Sequence, residues 1–265
     1  MKILRVILII FAITSLSAQS IVIRHDKSDE EYLNSTDAIE AHVTFTTSTK
    51  DGDFVVGSGT YVGNSWVLTA AHVANFFEEN DVAQIKSERL KILDILLHEN
   101  WKDRQYGFDI AMVKIEMPSG DIAPVTLFAL EPEKDDVITI AGRGDTGTGM
   151  DGITSRDLKM RVAQNKIEEI KGQWLSFSFS APEDGALENE GIGGGGDSGS
   201  PAYIIDKGTI HLVALSSWQD TEATNWKEGF YGAIDYYTYL NHYRDWIESH
   251  LDDNKPCAKH QNFMF

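Results

Sequence analysis

Apolar positions between residues 40 and 234 come in short runs separated by turn-forming residues: "AHVTFTTS", "FVVGSGTYV", "SWVLTA", "KILDILLH", "IAMVKI", "VITIAG", "WLSFSFS", "PAYIID", "TIHLVALSSW" and "GFYGAI". Many short β-type runs at this spacing predict an all-β fold of sandwich or barrel type, without the helical crossovers of a parallel sheet. One stretch has a different period. Tyr236, Leu240, Tyr243, Ile247 and Leu251 recur at helical intervals behind Asp235, a reasonable cap, which predicts a C-terminal helix over 235–252 packed back on the strands. The composition shift at "LFALEPEKDD" divides the strands into an N-terminal unit, 21–127, and a C-terminal unit, 128–234, with a polar tail at 253–265.

The first twenty residues do not fit that pattern. Lys2 and Arg5 precede the apolar run Val6 to Ile13, and small or polar residues follow through Ser20, the order of a secretory signal. The run is too short to span a bilayer. The expectation is therefore a secreted protein, periplasmic or extracellular, with cleavage after Ala18 or Ser20 and no membrane association afterwards. Removing the segment takes the net charge from −18 to −20. With no Lys/Arg cluster to offset it, this charge argues against nucleic-acid binding. Cys257 is the only cysteine, so the fold must hold without an internal disulfide, and a free thiol in the polar tail is expected.

The stretch "GIGGGGDSGSP", residues 191–201, is costly to order and is either a slack tether or a place where backbone must approach closely. It runs directly into the apolar strand "AYII", where a tether has no reason to end. Consecutive glycines can instead aim backbone N–H groups at one point, a pocket for an oxygen that becomes negative, with Ser198 beside it. A serine needs a neighbouring base to become a nucleophile. His72 in "SWVLTAAHVANF" is a candidate base, although a lone histidine there is more often structural. Asp109 in "YGFDIAMVKIE" is a candidate orienting acid, although by itself it reads as a strand-entry aspartate.

Taken together, "TAAH", "DIAMVKI" and "GDSGSP", with "ITIAGRG" between the last two, resemble the trypsin/chymotrypsin family of serine peptidases over roughly residues 37 to 251. The resemblance implies two packed antiparallel six-stranded β-barrels with the active site in the seam. It implies a triad of Ser198, His72 and Asp109, with the N–H groups of Gly196 and Ser198 as the oxyanion hole. Ser217 and Trp218 match the serine-tryptophan pair lining the substrate cleft, with Ser217 placed to hydrogen-bond Asp109, and Gly229 matches a pocket-wall position. The position six residues before the nucleophile is Ile192, where trypsin-like members carry an acid. Together with Gly229 this implies cleavage after neutral or apolar residues, with Gln219, where many members keep glycine, narrowing the entrance. Members commonly bury a new N-terminal ammonium against the aspartate preceding the nucleophile. Cutting after Ser20 would offer Ile21 to Asp197, with Arg24 as an alternative partner.

The implied protein is a secreted serine endopeptidase acting as a monomer on protein or peptide substrates, with no cofactor and no metal. A catalytically silent binding protein on the same fold and an esterase with the same triad are the alternatives. Gly147, Gly149 and Gly152 satisfy a dinucleotide-binding spacing without a following helix, and Arg143-Gly144-Asp145 resembles an adhesion tripeptide but lies in the family's own segment. The acidic "EEND" at 78–81 lacks alternating calcium-ligand spacing, and the eight histidines lack zinc-ligand pairing.

Overall fold

The computed structural model describes residues 21–36, 38–49, 52–77 and 81–251. The expected signal segment, Cys257 and most of the acidic loop at 78–81 lie outside the described residues.

Six strands close a barrel in the order His42–Thr49, Gly52–Gly63, Trp66–Thr69, Ala111–Ile115, Glu88–Leu97 and Val82–Ile85, the last pairing back to the first. Alternation along these strands sends one set of side chains inward. Phe45, Leu68, Ile85, Ile92, Val113 and Ile115 accordingly have no solvent exposure. The ring closes every edge, which removes the row of unpaired backbone groups that an open sheet presents.

The C-terminal half is built differently. Arg161–Lys166, Val137–Gly142, Pro201–Asp206, Thr209–Asp220, Ile234–Tyr239, Trp174–Ser178 and Glu169–Lys171 pair in that order, and Thr126–Leu127 adds in parallel to Thr209–Asp220. This sheet curls into a half-barrel. A second, four-stranded sheet of Gly152–Arg156, Asp145–Thr148, Val22–Ile23 and Gly191–Ile192 stands beside it.

Both ends of the described chain cross to the opposite half. Ile21, Val22 and Ile23, expected with the N-terminal unit, are buried in the core of the C-terminal one, where Val22 pairs with Ile192 and Ile23 with Thr148. Asp29–Leu33 forms a short helix with a capping box from Ser28 and Glu31. It is tied to the same half by Arg161, 1% exposed, whose guanidinium grips Asp29 and Asp157 at 2.5–2.9 Å.

The C-terminal helix is shorter than the sequence suggests. Residues 234–239 form a strand, a 3-10 turn covers Leu240–Tyr243, and the helix is Arg244–Leu251. Asp235 is therefore a strand residue and not a cap. Over Ile234 to Tyr237 the strand alternates partly buried and buried, a period of two that breaks at the buried Thr238 and that the aromatic residues disguise. Leu240, Tyr243 and Ile247 pack into the core of the N-terminal half, and Trp246 stacks against His98 at 5.1 Å. Among the described residues no helix is long and apolar enough to cross a membrane.

Candidate active site

His72 sits on a four-residue helical turn, Ala71–Ala74, that follows the buried strand Trp66–Thr69. Asp109, 3% exposed, stands just before the strand Ala111–Ile115, which pairs with Trp66–Thr69 in register Thr69 to Ala111. That register brings the two side chains together. Asp109 Oδ1 accepts the His72 backbone N–H and Oδ2 accepts the ring Nδ1–H, both at 2.8 Å. The carboxylate partner makes Nδ1 the donor, which leaves Nε2 as an acceptor on a side chain still 35% exposed. Two contacts from the other half complete the clamp: Ser217 Oγ–H donates to Asp109 Oδ2 at 2.5 Å, and Thr238 Oγ1–H donates to the Asp109 carbonyl at 2.9 Å.

Ser198 is carried to the same place by the glycine-rich loop. Its carbonyl accepts the Ser58 N–H at 2.8 Å, and the next residue, Gly199, donates to the Ser216 carbonyl at 2.8 Å. A side chain at Gly199, whose φ is +78°, would collide with the Ser58 carbonyl and with Thr69 Oγ1. Gly57 shows how close the halves come. A Cβ there would lie 2.7 Å from Val73, the residue after His72, and 3.0 Å from the Ser198 carbonyl. The loop thus lies across the first barrel at the base of the His72 turn. His72 Nε2 and Ser198 Oγ are not hydrogen-bonded in this structure; such contacts often tighten only when substrate is bound.

Asp197 N–H bonds the Gly194 carbonyl, while Gly196 at φ +95° turns the chain. Neither Gly196 N–H nor Ser198 N–H has a protein acceptor among the described residues. A developing oxyanion requires free N–H donors held close to the attacking hydroxyl.

A cleft of about 270 Å³ opens at Ser198, lined by Gly193 to Gly195, Ser216 to Gln219, Tyr106, Glu228 and Asp235. Trp218 forms its wall, stacked between Tyr106 at 4.4 Å and Tyr236 at 4.0 Å. Ile192, expected at the floor, does not line it. Its side chain is fully buried in the second core because its strand pairs with Val22. Gly229 also lies off the lining and donates its N–H to Gln219 Oε1 at 3.2 Å.

Asp235 is a buried carboxyl of the lining. It accepts Gly193 N–H at 2.7 Å and the Gln219 amide at 2.8 Å. Burial pushes its carboxyl up to about 7, the Gln219 and Gly193 hydrogen bonds oppose the rise, and the Glu228 charge adds to it. The sequence carried a signal for Asp235 in the two-residue alternation of its strand. It carried none for Tyr106 or Glu228, which arrive on loops.

Asp197 is fully buried. It accepts N–H groups from Gly144 at 3.2 Å and Gly194 at 3.1 Å, and burial holds its carboxyl well above the usual range. Ile21 is also fully buried, in the core of the same half, its carbonyl accepting Thr146 Oγ1–H at 3.0 Å. Arg24 is engaged elsewhere, with the Asp26 carboxylate and the Leu187 carbonyl, so it does not serve Asp197.

Comparison with known proteins gives a consistent answer. A family model described as Trypsin matches residues 34–247. The chain is similar to the vitamin K-dependent protein C of Oryctolagus cuniculus, 27% identical over 226 residues that cover 74% of this chain and 46% of that protein. It is similar to the coagulation factor XI of Bos taurus at 25% identity, covering 71% of this chain and 32% of that protein. It is also similar to a trypsin of Saccharopolyspora erythraea, 26% identical, covering 71% of this chain and 86% of that protein. The chain thus spans about half or less of the length of the first two relatives.

Proposed function

The chain belongs to the trypsin family, and from that premise we propose that it is a secreted serine endopeptidase whose catalytic residues are Ser198, His72 and Asp109. The observation that carries the reading is the clamp on Asp109, which accepts two hydrogen bonds from His72 and a third from Ser217, a residue that lines the Ser198 cleft. In the reaction, Nε2 takes the Ser198 proton as Oγ attacks the substrate carbonyl, and the carbonyl oxygen becomes an oxyanion held by Gly196 N–H and Ser198 N–H. The imidazolium, stabilised by Asp109, then protonates the leaving amine, and water repeats the sequence on the acyl-enzyme. One such oxyanion donor is worth about 2.7–4 kcal/mol of barrier.

The cleft lining supports a revised side-chain preference. The expectation of neutral or apolar residues rested on Ile192, which is buried in the core, and on Gly229, which lies off the lining. Asp235 and Glu228 occupy the lining instead. A pocket with a buried carboxyl at its floor favours a substrate side chain that donates hydrogen bonds, and a cationic one once Asp235 is ionised.

Burial of Ile21 in the core of the half that holds Asp197 supports the proposal that cleavage after Ser20 frees an ammonium to pair with Asp197. A buried carboxyl with a raised pKa gains most from such a partner.

The test is labelling by an organophosphonate ester. Wild-type protein is expected to be modified at Ser198 and to hydrolyse casein, and Ser198→Ala to lose both. A purified, folded wild-type protein that reacts with neither probe overturns the reading in favour of a binding protein on this fold, and hydrolysis of esters without matched amides points to an esterase.

A further inference from the structure

A larger cavity of about 490 Å³, sharing no lining residue with the Ser198 cleft, lies between the first barrel, the short N-terminal helix and the loop that follows Gly142. Two basic side chains set its chemistry. His42 is 4% exposed, and neither ring nitrogen has a hydrogen-bond partner. Arg143 is partly buried, and the only hydrogen bond of its guanidinium among the described residues is to the Leu158 carbonyl at 3.4 Å. In a chain of net charge −18, a partly buried arginine with no carboxylate partner among the described residues is an exception. Leu33, Ile39, Val55, Leu158 and Met160 supply apolar walls.

We propose that this cavity binds an apolar monocarboxylate, with Arg143 and His42 holding the carboxylate and the aliphatic walls taking the tail. Guanidinium and carboxylate match as a two-pronged pair, which gives orientation as well as attraction. His42 is held neutral, its pKa pushed down to about 3 by burial and by the Arg143 charge. A neutral imidazole has one N–H to donate to the second carboxylate oxygen. The rim decides against more highly charged anions. Lys86 is already paired with Glu40 at 2.7 Å, and Glu40 itself lines the cavity, so a phosphate or dicarboxylate meets a repelling charge. The volume falls in the lower half of the range of small-ligand sites, about 300–1,000 Å³. The site is separate from the Ser198 cleft, and the proposal stands whether or not the protein hydrolyses peptides.

The experiment is calorimetric titration of the full chain with sodium octanoate, with octan-1-ol as the uncharged match, both below their aggregation limits. Octanoate is expected to bind saturably and at least tenfold more tightly than octan-1-ol, and Arg143→Gln to weaken octanoate at least tenfold. Because that variant can lose stability, a second measurement uses wild-type protein with 13C-labelled methionine methyls. The Met160 resonance, assigned with Met160→Leu, is expected to shift with octanoate at the calorimetric affinity. Equal binding of octan-1-ol, no saturable binding of octanoate, or a response at other methionines with Met160 unmoved each overturns the proposal.

Discussion

Asp109 at the edge of the first barrel and Asp235 in the curled sheet are both almost inaccessible, at 3% and 4% exposure, and both belong to the cleft region around Ser198. Their surroundings differ. The Asp109 carboxylate receives three hydrogen bonds, two of them from one histidine residue, and the third crosses from the other half of the molecule. Asp235 receives hydrogen bonds from a backbone N–H and an amide, and the neighbouring charge is negative, from Glu228. The first aspartate is surrounded by groups that orient a ring, and the second by groups that leave its own protonation state near balance at neutral pH. The same contrast runs through the halves. Most buried carboxylate and guanidinium side chains, Asp145, Arg161, Glu190, Asp197 and Asp235 among them, belong to the C-terminal half, whereas the buried polar side chains of the closed-barrel strands, His42, Ser58, Thr60 and Thr69 among them, are hydroxyls and an imidazole. The barrel supplies a frame for the histidine, and the half richer in buried charge supplies the adjustable parts.

The largest effect is expected at the oriented aspartate. Asp109→Asn keeps the shape but donates toward Nδ1, which selects the wrong imidazole tautomer, and a Ser-His-Asp triad loses about 10⁴-fold in kcat by that change. Steady-state kinetics on a peptide amide measures it. A loss under tenfold would mean that Asp109 does not orient the base.

The next effect concerns stability. Arg161→Ala removes a buried guanidinium but leaves Asp29 and Asp157 in contact with solvent, at 42% and 28% exposure, so the cost should fall below that of a fully buried ion pair, at about 1–3 kcal/mol. The midpoint of urea denaturation reads the change, and an equal substitution at the exposed pair of Arg244 and Glu248 should cost no more than about 0.5 kcal/mol. Arg161 also holds Asp157 well below the usual carboxylate range. A depressed carboxyl stabilises the fold above its unfolded pKa, and that contribution is lost as pH falls through the lower folded value. Arg161→Ala should therefore remove part of the acid sensitivity along with the stability.

How much of this the sequence announced depended on whether a residue's role was local. Closely spaced motifs around His72, Asp109 and Ser198 were legible because each combines a reactive side chain with the strand or glycine turn that carries it. The strands were legible from alternation. Ile192 was misplaced because a count of residues along a glycine run gives no direction for the side chain, and only pairing with Val22 turns it inward. The helix boundary failed for a related reason: tyrosines at 236, 237, 239 and 243 satisfy periods of two and of about four at once, and tertiary pairing with Trp174–Ser178 decided for the strand. Exchange of the chain ends between halves has no local signal at all.

Asp235 provides the smallest and most discriminating test. Its folded pKa of about 7 lies above the ordinary carboxyl value, so the folded state holds a proton that the unfolded state has already released. Stability should then fall as pH rises from about 4 toward 7 and level off above, with a slope of at most about 1.4 kcal/mol per pH unit from this group. Asp235→Asn should remove that slope. In catalysis, the ratio of kcat/KM for a substrate with arginine before the scissile bond to one with glutamine cancels the ionisation of His72, which both substrates share. That ratio should rise about tenfold between pH 6 and 8 as Asp235 ionises, and should be flat in Asp235→Asn. A ratio independent of pH in the wild type would mean that the substrate side chain never meets Asp235, and that the two aspartates differ in surroundings without dividing the work of orientation and selection between them.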